Sequence, residues 1–191
     1  MKLKNTKLVL FDNDFNKTVY YFGYGANMSK EYLENRRRVF PSEIHTGVLK
    51  DYKLIMNMEG PNFIEPSFAN IIKKPNESLE GVLSKITQNE LNQIINSEGA
   101  NYEVEDITVI TGNKKIKAKT LIYKSNNLLS IPPSRRYMKI LINAAIKNQL
   151  SESYIQKLKR HPSVYYPILS EIYAVRIFFW VRKRSKNINS N

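Results

Sequence analysis

Residues 102–123 constrain the fold most. Tyr102 to Ile110 and Lys115 to Tyr123 alternate apolar with polar side chains, and Thr111-Gly112-Asn113-Lys114 between them has the glycine and asparagine that tight hairpin turns favour. Two strands joined by so short a turn pair antiparallel, so a helical bundle and a repeated βαβ layout are both excluded here. The rest of the chain agrees. Thr18-Val19-Tyr20-Tyr21-Phe22 reads as a buried strand running into Gly23-Tyr24-Gly25, and Gly47 to Asn57, Ser67 to Lys73 and Leu79 to Ile86 read as further strands. Turns are expected at Gly60-Pro61-Asn62, with an irregular stretch to Pro66, and at Pro75-Asn76-Glu77.

Helices fall between and after these strands. Asn27 or Ser29 can cap one through Arg37. Thr87 and Glu90 form a capping box for a helix with Leu91, Ile94 and Ile95 on one face, and Gly99 is placed to end it. Ser134, after Pro132-Pro133, caps a helix carrying Tyr137, Ile140, Leu141, Ala144 and Ala145, and Ser151 caps a short one through Lys159. Ile168 to Arg184 reads as a basic amphipathic helix, followed by a polar tail. The class is α+β, with one core for 191 residues.

Composition narrows the chemistry. With no cysteine and only His45 and His161, disulfides, thiolate nucleophiles and Cys- or His-rich metal sites are out of reach. Both histidines read as surface residues. The formal net charge of +13 favours anionic partners without choosing among nucleic acid, anionic lipid and acidic metabolites. Charged residues flank the short apolar stretch Leu8-Val9-Leu10-Phe11, unlike a secretory signal, and no apolar run is long enough to span a membrane, so the expected location is cytoplasmic.

The strand-to-helix stretch Tyr21-Phe22-Gly23-Tyr24-Gly25-Ala26-Asn27-Met28 lets backbone N–H groups converge on an anionic ligand. It lacks the Lys and Ser/Thr of a phosphate-binding loop. Tyr24-Gly25-Ala26-Asn27-Met28 resembles the Tyr-Gly-Ser-Asn-Met/Leu loop of the γ-glutamylcyclotransferase family, and other pieces follow in order. Gly47 to Leu54, Ala69-Asn70-Ile71 with Pro75, and Gly81-Val82-Leu83 are similar to that family's next strands. Ser97-Glu98-Gly99 with Tyr102 resembles its Glu-Gly segment, and Pro132-Pro133-Ser134-Arg135-Arg136-Tyr137 the start of its late helix. The resemblance runs from about Thr18 to Arg160. It implies a compact, mixed β-barrel-like sheet with flanking helices over residues 18–160, an N-terminal extension over 1–17, and the basic helix and tail over 161–191.

The resemblance also implies a role for Glu98 as general acid/base, and a substrate pocket at Tyr24, Gly25, Ala26 and Asn27 with Tyr102 and Tyr137 nearby. The reaction it implies is release of 5-oxoproline from a small γ-glutamyl donor by intramolecular cyclisation, with no cofactor and no metal. From the residues alone Glu98 is an exposed glutamate at the negative end of a helix dipole, and Glu103 and Glu105 are a solvated strand face. Tyr102 and Tyr137 are either pocket groups or packed tyrosines, Asn70 a satisfied buried amide or a pocket group, and Arg36-Arg37-Arg38 a solvated helix end. Ala26 stands where the family usually has Ser, and the Glu98-to-Tyr102 spacing is shorter than in some members. Both bear on the donor, which can be a γ-glutamyl amino acid, peptide or amine. The rival class is a non-enzymatic basic protein binding nucleic acid or an anionic membrane surface, although no nucleic-acid motif accompanies the charge. Ile168 to Arg184 is the segment able to touch such a membrane or a partner protein weakly.

Overall fold

Five strands carry the fold in the computed structural model, which describes residues 17–60, 65–98 and 101–165. They are β1 (Thr18–Gly23), β2 (Glu43–Glu59), β3 (Ser67–Thr87), β4 (Tyr102–Thr111) and β5 (Lys114–Tyr123). They close into a barrel in the order β1-β3-β2-β4-β5. The β4–β5 hairpin pairs from Tyr102 opposite Tyr123 to Thr111 opposite Lys114. Gly112 turns it at φ 54°, in the left-handed region that glycine enters without steric cost. Closure comes from β5, which meets β1 in parallel where Tyr21 faces Lys119.

The turn expected at Pro75-Asn76-Glu77 does not separate two strands. β3 continues through it, and both halves pair with β2. The register slips between Tyr52 opposite Lys73 and Lys50 opposite Ser78, so that Asp51 alone faces the excursion through Pro75 and Asn76. Asp51 and Asn76 sit at φ 61° and 64°, and the Asn76 N–H donates to Asp51 Oδ1 at 3.0 Å. The local turn chemistry is as expected, but a shared partner strand on both sides converts the turn into a bulge.

Capping follows the sequence closely. Ser29 Oγ accepts from Tyr32 N–H to start α1 (Lys30–Tyr32), which widens into a π-type turn over Leu33–Arg37 and stops at Arg38 with φ 57°. In front of α2 (Gln88–Glu98), Thr87 N–H donates to Glu90 Oε2 at 2.8 Å and Glu90 N–H to Thr87 Oγ1 at 3.2 Å. Ser134 and Ser151 cap α3 (Arg135–Lys147) and α4 (Glu152–Lys159) through Tyr137 N–H and Tyr154 N–H. Beyond α4, Val164 bridges back to Ser134.

Phe22, Met56, Ile71, Leu83 and Leu141 are fully buried where α3 covers the barrel, each worth roughly 1.5–3 kcal/mol of burial. A second cluster joins Leu33, Leu91 and Ile94 to Tyr21 and Leu121. That cluster fixes the turn after α1 and the end of α2 against the same face of the barrel. Asn70 is a satisfied buried amide: its Nδ2 donates to Asn57 Oδ1 and Tyr123 O, and its Oδ1 accepts from Tyr123 N–H, all at 2.9 Å. The turn at Gly60-Pro61-Asn62 from Pro61 onward, the helix stop at Gly99, the N-terminal extension up to Asn16 and the basic helix over Ile168 to Arg184 lie outside the described residues.

Candidate active site

Glu98 is the last residue of α2, and its side chain turns into the molecule with 18% of its surface exposed. The apolar stripe Leu91 and Ile94 anchors α2 and aims that last turn at the loop after β1. Glu98 Oε1 accepts from Asn27 Nδ2 at 2.9 Å and from Arg37 Nη2 at 2.6 Å. Asn27, in the 3-10 turn Ala26–Met28, also donates through Nδ2 to Tyr21 Oη at 3.0 Å. Strand, loop and two helical segments therefore converge on one carboxylate.

The convergence opens on a cavity of about 460 Å³, of the size that small-molecule sites occupy. Tyr24, Gly25, Ala26, Asn27, Glu98, Tyr102 and Tyr137, all singled out in the sequence, line it together. Gly25 is there for space: a Cβ would stand 3.2 Å from Tyr137 Oη and 3.3 Å from Ala69 Cβ. The leading N–H groups of the Ala26–Met28 turn precede any carbonyl of their own helix that could accept them. Tyr137 Oη accepts from Ala69 N–H at 3.1 Å, and its ring packs edge-on against Phe68. Tyr24 donates to Leu121 O at 2.5 Å, and Tyr102 bonds Met58 Sδ. Tyr102 and Tyr137 are thus cavity walls and packed tyrosines at once.

Burial, and after it the Glu98 charge, pushes the hydroxyls of Tyr21 and Tyr102 far above the usual tyrosine range. Burial does the same to Tyr137, against the hydrogen bond from Ala69. These phenols stay protonated, so the site presents neutral hydroxyls around the Glu98 carboxylate and the Arg37 guanidinium paired to it, with Arg36 and Arg136 also on the cavity wall.

One reading of the sequence is corrected. Arg37 is no solvated helix end; its side chain is 12% exposed and paired to Glu98, with the guanidinium carbon 5.5 Å from the Tyr32 ring centroid. The π-type turn carries Arg37 to the same side as buried Leu33, four residues earlier. That spacing was the one available signal, and the flanking Arg36 and Arg38 masked it. Tyr21 was likewise missed as a site residue, hidden in an aromatic strand. Glu103 and Glu105 lie on the outer face, ion-paired to Lys124 and Lys73.

Known proteins are similar to this chain in sequence and in fold. Residues 78–158 match the AIG2-like family. The human γ-glutamylcyclotransferase is 32% identical over 148 residues, covering 73% of this chain and 76% of the relative. The mouse γ-glutamylcyclotransferase is 30% identical over 152 residues, covering 75% and 78%. A solved γ-glutamyl cyclotransferase structure superposes with a TM-score of 0.68 at 25% identity, over 82% of this chain and 98% of that one. Among the described residues no helix is long and apolar enough to cross a membrane. A closed five-stranded barrel, a cavity built on the loop after its first strand, and relatives of this identity and coverage place the chain in the γ-glutamylcyclotransferase-like family, a family of cyclotransferase enzymes.

Proposed function

We propose that the protein releases 5-oxoproline from small γ-glutamyl donors by intramolecular cyclisation, with Glu98 as general acid/base. The observation that carries this is the place of Glu98: a carboxylate held by Asn27 and Arg37 on the wall of a cavity shared with the Tyr24–Asn27 loop. In a γ-glutamyl donor the α-nitrogen and the γ-carbonyl belong to one molecule, so a cavity that folds the donor gains the effective concentration of an intramolecular reaction, on the order of 10⁵ M or more. Glu98 takes a proton from the α-ammonium, the freed amine attacks the γ-carbonyl carbon, and a tetrahedral oxyanion forms. Glu98 then delivers the proton to the departing nitrogen as the carbon–nitrogen bond breaks. The attacking nitrogen has one further proton to lose as the ring closes, and Glu98 relays that proton to the departing nitrogen as well, so the ring nitrogen keeps one hydrogen, the released amine leaves as an ammonium, and Glu98 ends as it began.

The backbone N–H groups of Gly25 to Asn27 hold the oxyanion or the donor's α-carboxylate, and the neutral tyrosines exclude water. Ala26 in place of Ser leaves that backbone role unchanged. In this reading the catalytic unit is residues 18–160 of a cytoplasmic enzyme, it needs no cofactor, and its partner is the small donor.

The test is a panel of γ-glutamyl amino acids, γ-glutamyl peptides and γ-glutamyl amines assayed for 5-oxoproline. Release from at least one donor is expected. No release from any, together with salt-sensitive affinity for nucleic acid or anionic vesicles, would point to the non-enzymatic class instead.

A further inference from the structure

Arg37 and Glu98 form an ion pair that the fold has little use for. Two charges held at 12% and 18% exposure have lost most of their hydration, and such a pair rarely stabilises a protein more than apolar side chains of equal size. The pair is also incomplete. A guanidinium carries five N–H groups, yet among the described residues Arg37 Nε is buried with no hydrogen-bond partner, and Asn27 Oδ1, on the other residue that bonds Glu98, is buried without a donor. What the pair does offer is a positive and a negative group 2.6 Å apart on one cavity wall, brought there by separate elements. The head of a γ-glutamyl donor is an α-amino-acid zwitterion with both charges on one carbon. Laid crosswise against the pair, it places each charge against its opposite.

We infer that Arg37 and Glu98 together are the receptor for this head group, Arg37 taking the donor's α-carboxylate while Glu98 takes its α-ammonium. The inference rests on the cyclisation proposed above. Its consequences are specific. The guanidinium fork suits a carboxylate in a way a point charge does not. Engaging the donor's carboxylate turns Arg37 away from Glu98 and leaves that carboxylate facing the ammonium whose proton it must take. The backbone N–H groups of Gly25 to Asn27 are then reserved for the oxyanion. A donor whose α-carboxylate is capped as the carboxamide keeps the reacting amine and carbonyl but loses the contact with Arg37.

Two measurements test this. The first compares kcat/KM for γ-glutamyl-alanine and its α-carboxamide counterpart, following the cyclised product of each. Wild type should prefer the carboxylate donor by a factor on the order of 10². Arg37→Gln should lose about that factor on the carboxylate donor, mostly in KM, and shrink the preference to about threefold or less, with Arg37→Lys recovering part. A merely structural role for Arg37 would lower both donors alike and leave the ratio unchanged, which overturns the inference. The second measurement needs no turnover and is made on wild type: L-glutamate, which has the head group and no leaving amine, should bind, and isoglutamine should bind at least about thirtyfold more weakly. Equal binding of the two overturns the inference even if the Arg37 variants fail to fold. Selective glutamate binding with no 5-oxoproline from any donor would uphold the receptor and reject the cyclisation.

Discussion

Two of the buried polar clusters, one around Asn70 and one around Glu98, differ in how fully they are satisfied. Around Asn70 every amide atom is bonded, to Asn57 and to both backbone groups of Tyr123, and Asn57 passes the chain on by donating to Asn127 O at 2.8 Å. Around Glu98 the bonds are as short, but Asn27 Oδ1 and Arg37 Nε are left over among the described residues. A closed network locks strands; one with spare donors and acceptors beside a cavity retains capacity for a ligand. The same amide side chain therefore serves structure at Asn70 and chemistry at Asn27, and what separates them is the count of bonds left unmade.

Breaking the closed cluster should have the largest effect on stability. Asn70→Ala orphans Asn57 Oδ1 and both polar groups of Tyr123, at roughly 1–3 kcal/mol each, so urea unfolding should show a loss of about 3 kcal/mol or more. Turnover per folded molecule should stay within about twofold of wild type, because Asn70 is not on the cavity wall. The open cluster should behave in reverse. Arg37→Met leaves Glu98 without its cation and should cost about 2 kcal/mol, below the range for fully buried pairs because the site faces a cavity. Adding Glu98→Gln should recover part of that cost, and strict additivity in the double variant would show that the two side chains are not coupled.

Smaller effects sharpen the contrast. Ala26→Ser adds one hydroxyl to the cavity wall and should change stability by less than about 1 kcal/mol, shifting donor preference while turnover persists. A folded, inactive Ala26→Ser protein would mean that the loop holds the donor differently. Glu103→Gln, on a side chain 51% exposed and paired to Lys124, should be silent within about 0.5 kcal/mol and in turnover.

Much of this was legible in the chain, for local reasons. The β4–β5 hairpin, the Thr87–Glu90 box and the caps at Ser134 and Ser151 depend on residues within a few positions of one another, and each formed as the sequence implied. Glu98 could be placed at a helix end, but its inward turn depends on Leu91 and Ile94 packing with Leu33, a contact between segments far apart in sequence. Arg37 was hidden for the same reason. Nothing local distinguishes it from Arg36 and Arg38 until the π-type turn directs it inward. Glu65 is the clearest case of long-range control. It sits 1% exposed in an irregular stretch, yet it accepts from Ser134 N–H at 2.8 Å and from the Ser134 hydroxyl, bracing the N-terminus of the helix that carries Tyr137. Where a partner is 69 residues away, periodicity and capping signals are silent.

The central claim is that the Glu98 carboxylate moves the proton in cyclisation, and single-turnover 5-oxoproline formation by purified, folded Glu98→Gln tests it most directly. The amide keeps the shape and can still bond Arg37 and Asn27, but it lacks the charge that faces the donor's ammonium, so binding should weaken and the rate is read at saturating donor. The rate of ring closure should fall by a factor on the order of 10² to 10⁴, the usual contribution of a positioned acid/base. Turnover by Glu98→Gln at the wild-type rate, on a donor that wild type cleaves, would contradict the account and remove Glu98 from the chemistry.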